Sequence, residues 1–165
     1  MTCNSVKKVF GEKDMIRILL LSILIFLISP VHADSDNGLI TKKSKHSVSE
    51  TLDRLSDALT KKGIKVFARV SHDKNAEGVD LKLRPTELLI FGNPKLGTHF
   101  FTSNQTAGID LPMKALAWQD EKGQVWLSYN DPKYIAKRHG IKDRDDIVKK
   151  MSGALDKLSG IAVGK

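Results

Sequence analysis

The sequence predicts an α+β domain, an antiparallel sheet of about four to five strands packed on two main helices. Three observations predict it. Val48 to Lys62 and Asp143 to Ser159 carry apolar residues at helical spacing. Four apolar runs of strand length lie between them, bounded by Gly, Pro, Asn and Asp. No regular β-α-β alternation is present, which argues against a doubly wound parallel sheet. The order is β-α-β-β-β-β-α, with a short extra helix near 132–139.

The first 33 of the 165 residues read as a signal peptide. Ile16 to Pro30 is a single apolar run, shorter than the roughly 20 residues that cross a bilayer as a helix. Lys7, Lys8, Lys13 and Arg17 flank it, and Val31-His32-Ala33 fits the small-x-Ala cleavage pattern, placing cleavage after Ala33. Met15 offers a second start. The competing reading is an uncleaved N-terminal anchor, the chain's one route to a membrane. Cleavage leaves 23 basic against 17 acidic residues, so the net charge falls from +8 to +6. It also removes Cys3, the one cysteine. A cysteine-free domain is indifferent to an oxidising compartment, so the periplasm or the exterior is the expected location. One Cys excludes a disulfide scaffold, a Cys-ligated zinc module and an iron–sulfur protein. A mean hydropathy of −0.23 excludes a multi-span membrane protein.

Residues 34–46 are a flexible leader or an edge strand over about Gly38 to Ser44. A domain over 47–160 and a tail over 161–165 follow. Ser47 and Glu50 make an S-x-x-E capping box. Val48, Leu52, Leu55 and Leu59 then share one helical face, and Gly63 stops the helix. Ile64, Val66, Ala68 and Val70 alternate along a strand, with Phe67 breaking the pattern. His72 to Asp80 is polar and irregular, with room for a helical turn. Thr86 to Phe91 is a second strand, stopped by Gly92-Asn93-Pro94. Met113 to Trp118 and Val125 to Tyr129 form a hairpin across Asp120-Glu121-Lys122-Gly123. Asp131-Pro132 starts the short helix, and Gly140 ends it. The last helix buries Ile147, Met151, Ala154, Leu155 and Leu158, and Asp143, Asp145 and Asp146 suit its N-terminal end.

One motif set is specific. Leu83-Arg84-Pro85-Thr86-Glu87 runs into Leu88-Leu89-Ile90-Phe91-Gly92-Asn93-Pro94-Lys95, with Gly97-Thr98 beyond. Ile109-Asp110-Leu111-Pro112-Met113-Lys114, Trp118, Val125-Trp126-Leu127-Ser128-Tyr129 and Asp131-Pro132 follow. On these residues the chain resembles the family catalogued as domain of unknown function 302, over about 47–160. The resemblance implies a fold similar to that of TATA-binding protein, an antiparallel sheet on helices. It implies no DNA binding, since fold does not carry function. Two departures stand out. Ser71-His72 replaces the family's common Asp-His, and His99, Phe100 and Phe101 replace a Pro and aliphatic residues.

The candidate ligand-binding residues are His72, Arg84, Asn93, Lys95, Thr98 and His99. Gly92 to Thr98 reads as a strand end turning through two glycines, where a backbone can approach a ligand closely. Asn93, Lys95 and Thr98 supply donors for an anionic or carbonyl group; the plainer reading is a structural turn. His72 stands at a loop mouth as a general base or a ligand to metal or haem, against a plainer loop-stabilising role. Arg84 is a carboxylate clamp or, more simply, the partner of a nearby Asp. His99 is the one partner available to His72, too few for a metal site. His46 and His139 read as surface residues. Trp118 and Trp126 read as core or sheet-face packing, and Phe100-Phe101 as core, an apolar pocket or a dimer contact.

No Ser, Cys or paired-carboxylate catalytic set is visible, and no cofactor is legible. Basic residues are dispersed without interleaved aromatics, and export removes nucleic acid as a partner. The expectation is an exported, non-enzymatic module for a small ligand or a protein. An enzyme using His72, or a structural homodimer, is the alternative.

Overall fold

The computed structural model describes residues 37–165; the expected signal peptide and its expected cleavage point lie outside them. In chain order the elements are β1 (Leu39–Lys43), α1 (Val48–Lys61), β2 (Lys65–Ser71), α2 (His72–Glu77) and β3 (Thr86–Gly92). Then come α3 (Pro94–Ser103), a 3-10 turn (Gln105–Ile109), β4 (Met113–Gln119), β5 (Val125–Asn130), α4 (Pro132–Arg138) and α5 (Asp145–Val163). The five strands form one antiparallel sheet in the order β1-β5-β4-β3-β2. The edge-strand reading of residues 38–44 and the 120–123 hairpin therefore hold.

Alternation decides where the core sits. Leu89 and Phe91 of β3, Ala115 and Ala117 of β4, and Leu127 and Tyr129 of β5 are buried on one face. The apolar stripe of α1 (Val48, Leu52, Leu55, Leu59) packs there, as its spacing predicts. Ser47 caps α1 by accepting from the Glu50 amide at 3.2 Å. The second half of the capping box is not made, because the Glu50 carboxylate pairs with His46 Nδ1 at 2.7 Å. On the other face Trp118 and Trp126 are cross-strand partners, with ring centroids 6.4 Å apart. Their indole N–H groups donate to Ser128 Oγ and Asp120 Oδ2. Both tryptophans are thus sheet-face packing.

Gly38 leads into β1 with φ +73°, and a Cβ there would stand 2.1 Å from the ring of Tyr134. Glycine lets this segment close onto α4, where the Asp131 amide donates to the Gly38 carbonyl at 2.7 Å.

Four expectations need correction. First, β2 carries a register shift between Val66 and Ala68. Phe67 is the extra residue of a β-bulge, and a bulge inverts the alternation beyond it. Val66 pairs with core-facing Phe91, whereas Ala68 and Val70 pair with Ile90 and Leu88 on the opposite face. The four apolar residues of this strand therefore do not share a side. Arg69 takes the helix side instead. It donates to Glu87 Oε2 at 2.6 Å, to Asp53, and to Ser49 O and Oγ at 3.0 Å. Burial pulls the Arg69 pKa down, but its hydrogen bonds to Asp53 and Glu87 outweigh this and raise it.

Second, residues 94–103 are a helix, not the continuation of a turn. Asn93 is its N-cap, accepting from the Lys95 amide at 2.9 Å, and Pro94 occupies the first turn. Asn-Pro is a helix start as well as a turn signal. Third, the last helix begins at Asp145, since the Asp143 carboxylate is taken by Ser103 Oγ and Arg144. It runs on to Val163, because Ala162 and Val163 are fully buried, and Gly164 at φ +80° ends it. The stretch 161–165 is accordingly not a tail. Fourth, His139 is not a surface residue: its side chain is 7% exposed.

Candidate functional site

A cavity of about 190 Å³ opens where α3 crosses the ends of β3 and β4 and faces α5. Its walls include Leu96 and Phe101 from α3, Phe91 and Met113 from the strands, and Met151 and Leu155 from α5. Each wall follows from a local cause. The cap at Asn93 starts α3 immediately after β3, so Leu96 turns inward one turn later. Met113 begins β4 directly after Leu111 and Pro112, which are wall residues themselves. Leu155 and Leu158 belong to the buried stripe of α5, and half-buried Ala154 lies beside it.

Gly92 lies between two wall residues. A Cβ at this position would stand 3.4 Å from Pro112 Cβ and 3.5 Å from Phe67 Cε2. The bulge thus places the Phe67 ring against the last residue of β3, at the rim of the cavity. No charged side chain forms the wall; its polar members are Asn93 and Thr98.

The six candidate residues do not converge. Asn93 and Thr98 belong to the wall. The Asn93 side-chain oxygen is occupied by the cap, so its first role is to start a helix. Lys95 is exposed in the first turn of α3, outside the wall. His99 is also exposed and borders a separate shallow recess with residues 142–147. Its carbonyl accepts from Arg144 Nε at 3.2 Å and from Thr102 Oγ1 at 3.0 Å.

His72 and Arg84 lie at the other end of the sheet. Lys65 pairs with Gly92, and Ser71 with Glu87. Five residues of strand, at about 3.3 Å each, separate His72 from the cavity by roughly 17 Å. Acid–base partners work within hydrogen-bond reach or through one water, so His72 and Asn93 or Thr98 do not cooperate directly. Arg84 donates through Nε to the Gln119 carbonyl at 3.1 Å, not to an Asp. The adjacent Asp120 carboxylate is taken by Trp126 Nε1 and the amides of Gln124 and Lys122, and its pKa is lowered, chiefly by the Trp126 bond.

Residues 104–139 hold one cluster that sequence reading missed. His139 Nε2 meets Asp110 Oδ2 at 2.6 Å, and its Nδ1 meets Thr106 Oγ1 at 2.9 Å. Arg138 reaches Asp110 Oδ1 at 3.3 Å, and Asn104 Nδ2 donates to the His139 carbonyl. A hydroxyl, an imidazole and a carboxylate in this order resemble a nucleophilic relay. None of them lines the cavity, however, and Thr106 Oγ1 also meets the capping oxygen Asn104 Oδ1 at 2.8 Å. The cluster ties the 3-10 turn to the end of α4. Asp110 was visible in the Ile-Asp-Leu-Pro motif, but its partner is 29 residues away. Among the described residues no group of three or more His, Cys, Asp or Glu side chains is placed to hold a metal ion.

The fold and cavity define an α+β domain with helices over one sheet face and an apolar recess at the sheet's end. The chain belongs to the family described as Domain of unknown function DUF302, whose model matches residues 40–158. A crystal structure of an uncharacterized conserved DUF302 protein from Bacillus stearothermophilus superposes with a TM-score of 0.69. The match covers 76% of this chain and 98% of that one, at 19% identity, and shows a shared fold. Among curated proteins, fluoride-specific ion channel FluC 1 of Brucella suis biovar 1 is 41% identical over 138 residues, 84% of this chain and 52% of the relative. Fluoride-specific ion channel FluC 2 of Brucella melitensis biotype 1 is also 41% identical over 138 residues, 84% of this chain and 48% of the relative. The chain spans about half the length of the curated relatives it matches.

Proposed function

We propose that this chain is a non-catalytic binding module of the periplasm or exterior that takes a small apolar molecule into the cavity beneath α3. The observation that carries this reading is the cavity itself: about 190 Å³, walled by aliphatic, aromatic and thioether side chains. An apolar cavity of about 150 Å³ is large enough to bind benzene. The wall contains no titratable side chain, which favours binding over acid–base chemistry. Export is supported by the basic flank, the apolar run and the small-x-Ala site of residues 1–33.

We assign the conduction named for the Brucella relatives to the half of each that lies outside the match. In support, no described helix of this chain is long and apolar enough to cross a membrane. A homodimer through Phe100 and Phe101 has little support, because Phe100 is fully buried and Phe101 lines the cavity.

Thermal denaturation of the full chain with benzene, indole or 1-hexanol tests the binding reading. A ligand at about 100 times its Kd stabilises by roughly 2.7 kcal/mol, and Ala154→Trp, which fills the cavity, should abolish the shift. A wild-type melting temperature indifferent to all three probes refutes it, as does an equal shift in Ala154→Trp.

A further inference from the structure

We infer that the ligand of this cavity is an amphipathic monoanion, an apolar ring or short alkyl chain ending in a carboxylate, with Lys65 as its head-group cation. This rests on the cavity being a ligand site and adds the charge and shape of what enters.

The argument starts from the bulge. Phe67 is pushed out of the β2 ladder, and its ring is shared between the cavity wall and solvent, at 45% exposure. Lys65 Nζ stands 5.2 Å from the centroid of that ring. The attraction of an ammonium for a ring face holds the cation there without neutralising it. Lys65 pairs with Gly92, a wall residue and the last of β3, so the charge stands where the apolar wall meets water. Among the described residues no carboxylate lies within ion-pair distance of Lys65.

The rest of the site agrees with an anion. The wall holds no Asp or Glu to repel one. Asn93 and Thr98 place an amide and a hydroxyl among carbon, and both side chains can donate. A cation at the edge of a wall that is itself uncharged matches a single carboxylate at the end of an apolar body. A cationic ligand would meet Lys65 as a like charge.

Isothermal titration of the full chain with benzoate and benzyl alcohol, and with hexanoate and 1-hexanol, tests this. Each pair shares its apolar part and differs in the charged head. At low salt the carboxylates should bind about two- to five-fold tighter than the alcohols, the size of an exposed ion pair. Salt at 0.5 M should remove most of that preference by screening. Lys65→Gln should equalise each pair while leaving the alcohols unchanged, and Lys65→Arg should keep the preference. Equal affinities in the wild-type protein overturn the anion assignment, and a preference that survives Lys65→Gln overturns Lys65 as the head-group cation; either result leaves the cavity reading standing. Failure of all four probes to bind overturns both.

Discussion

Replacing Arg69 by Met should cost about 3 kcal/mol, and the number follows from the bulge at Phe67. Arg69 lies on the helix side of an edge strand with its side chain 30% exposed. Its Nε donates to Glu87, whose side chain is 11% exposed. A charge-assisted bond of this kind contributes about 1.5–3 kcal/mol, and a partner left buried and unpaired adds its desolvation. The Asp53 pair is 60% exposed on the acidic side and adds less than about 1 kcal/mol. The two bonds to Ser49 fix the guanidinium on α1. Met preserves most of the apolar stem, so packing changes little. Urea denaturation of the full chain, followed by far-UV circular dichroism, reads the difference as a lowered midpoint at unchanged slope. The double variant Arg69→Met/Glu87→Gln should recover at least about 1 kcal/mol, because the stranded charge is gone. If β2 alternated without interruption, Arg69 would project from the opposite face into solvent, where substitutions stay within about 0.5 kcal/mol. A loss that small, or a double variant as unstable as the single one, refutes the bulged register.

Two further outcomes follow from local chemistry. Asn93→Ala should cost about 1 kcal/mol through loss of the α3 cap, whereas Asn93→Asp should keep stability near wild type; equal urea midpoints for all three proteins would show that the cap is not made. Asp120 has a folded pKa below its ordinary 3.8, so its contribution is present above that pH and is lost as pH falls through the lowered value. Asp120→Asn should flatten the acid limb of the stability curve below pH 3.8, read by the fluorescence of Trp126, its hydrogen-bond donor; an unchanged acid limb refutes the assignment.

Most of the fold was legible because its signals are local. Val48, Leu52, Leu55 and Leu59 lie within twelve residues, and helix geometry alone brings them to one face. Ser47 caps the residue three positions on, and the Asp120–Gly123 turn joins adjacent strands. The Ile-Asp-Leu-Pro and Phe-Gly-Asn-Pro-Lys motifs were sufficient for the family, because family membership is itself a property of the linear chain.

The candidate site was legible at Asn93 and Thr98 and in the apolar-pocket reading of Phe101. The Asn-Pro pair fits a turn and a helix start equally well; docking of α3 over the strand ends, with Phe100 fully buried, selects the helix. Phe67 looked like a flaw in an alternating strand. Pairing with β3 makes it a bulge, turning Arg69 toward α1 and setting a ring beside Gly92. Met113 and Met151 read as ordinary core residues, and they are, except that packing leaves a recess beside them. Periodicity says which side of an element is apolar. Whether two apolar surfaces close completely or leave a cavity depends on residues far apart in the chain meeting at particular distances, and that is decided only when the chain has folded.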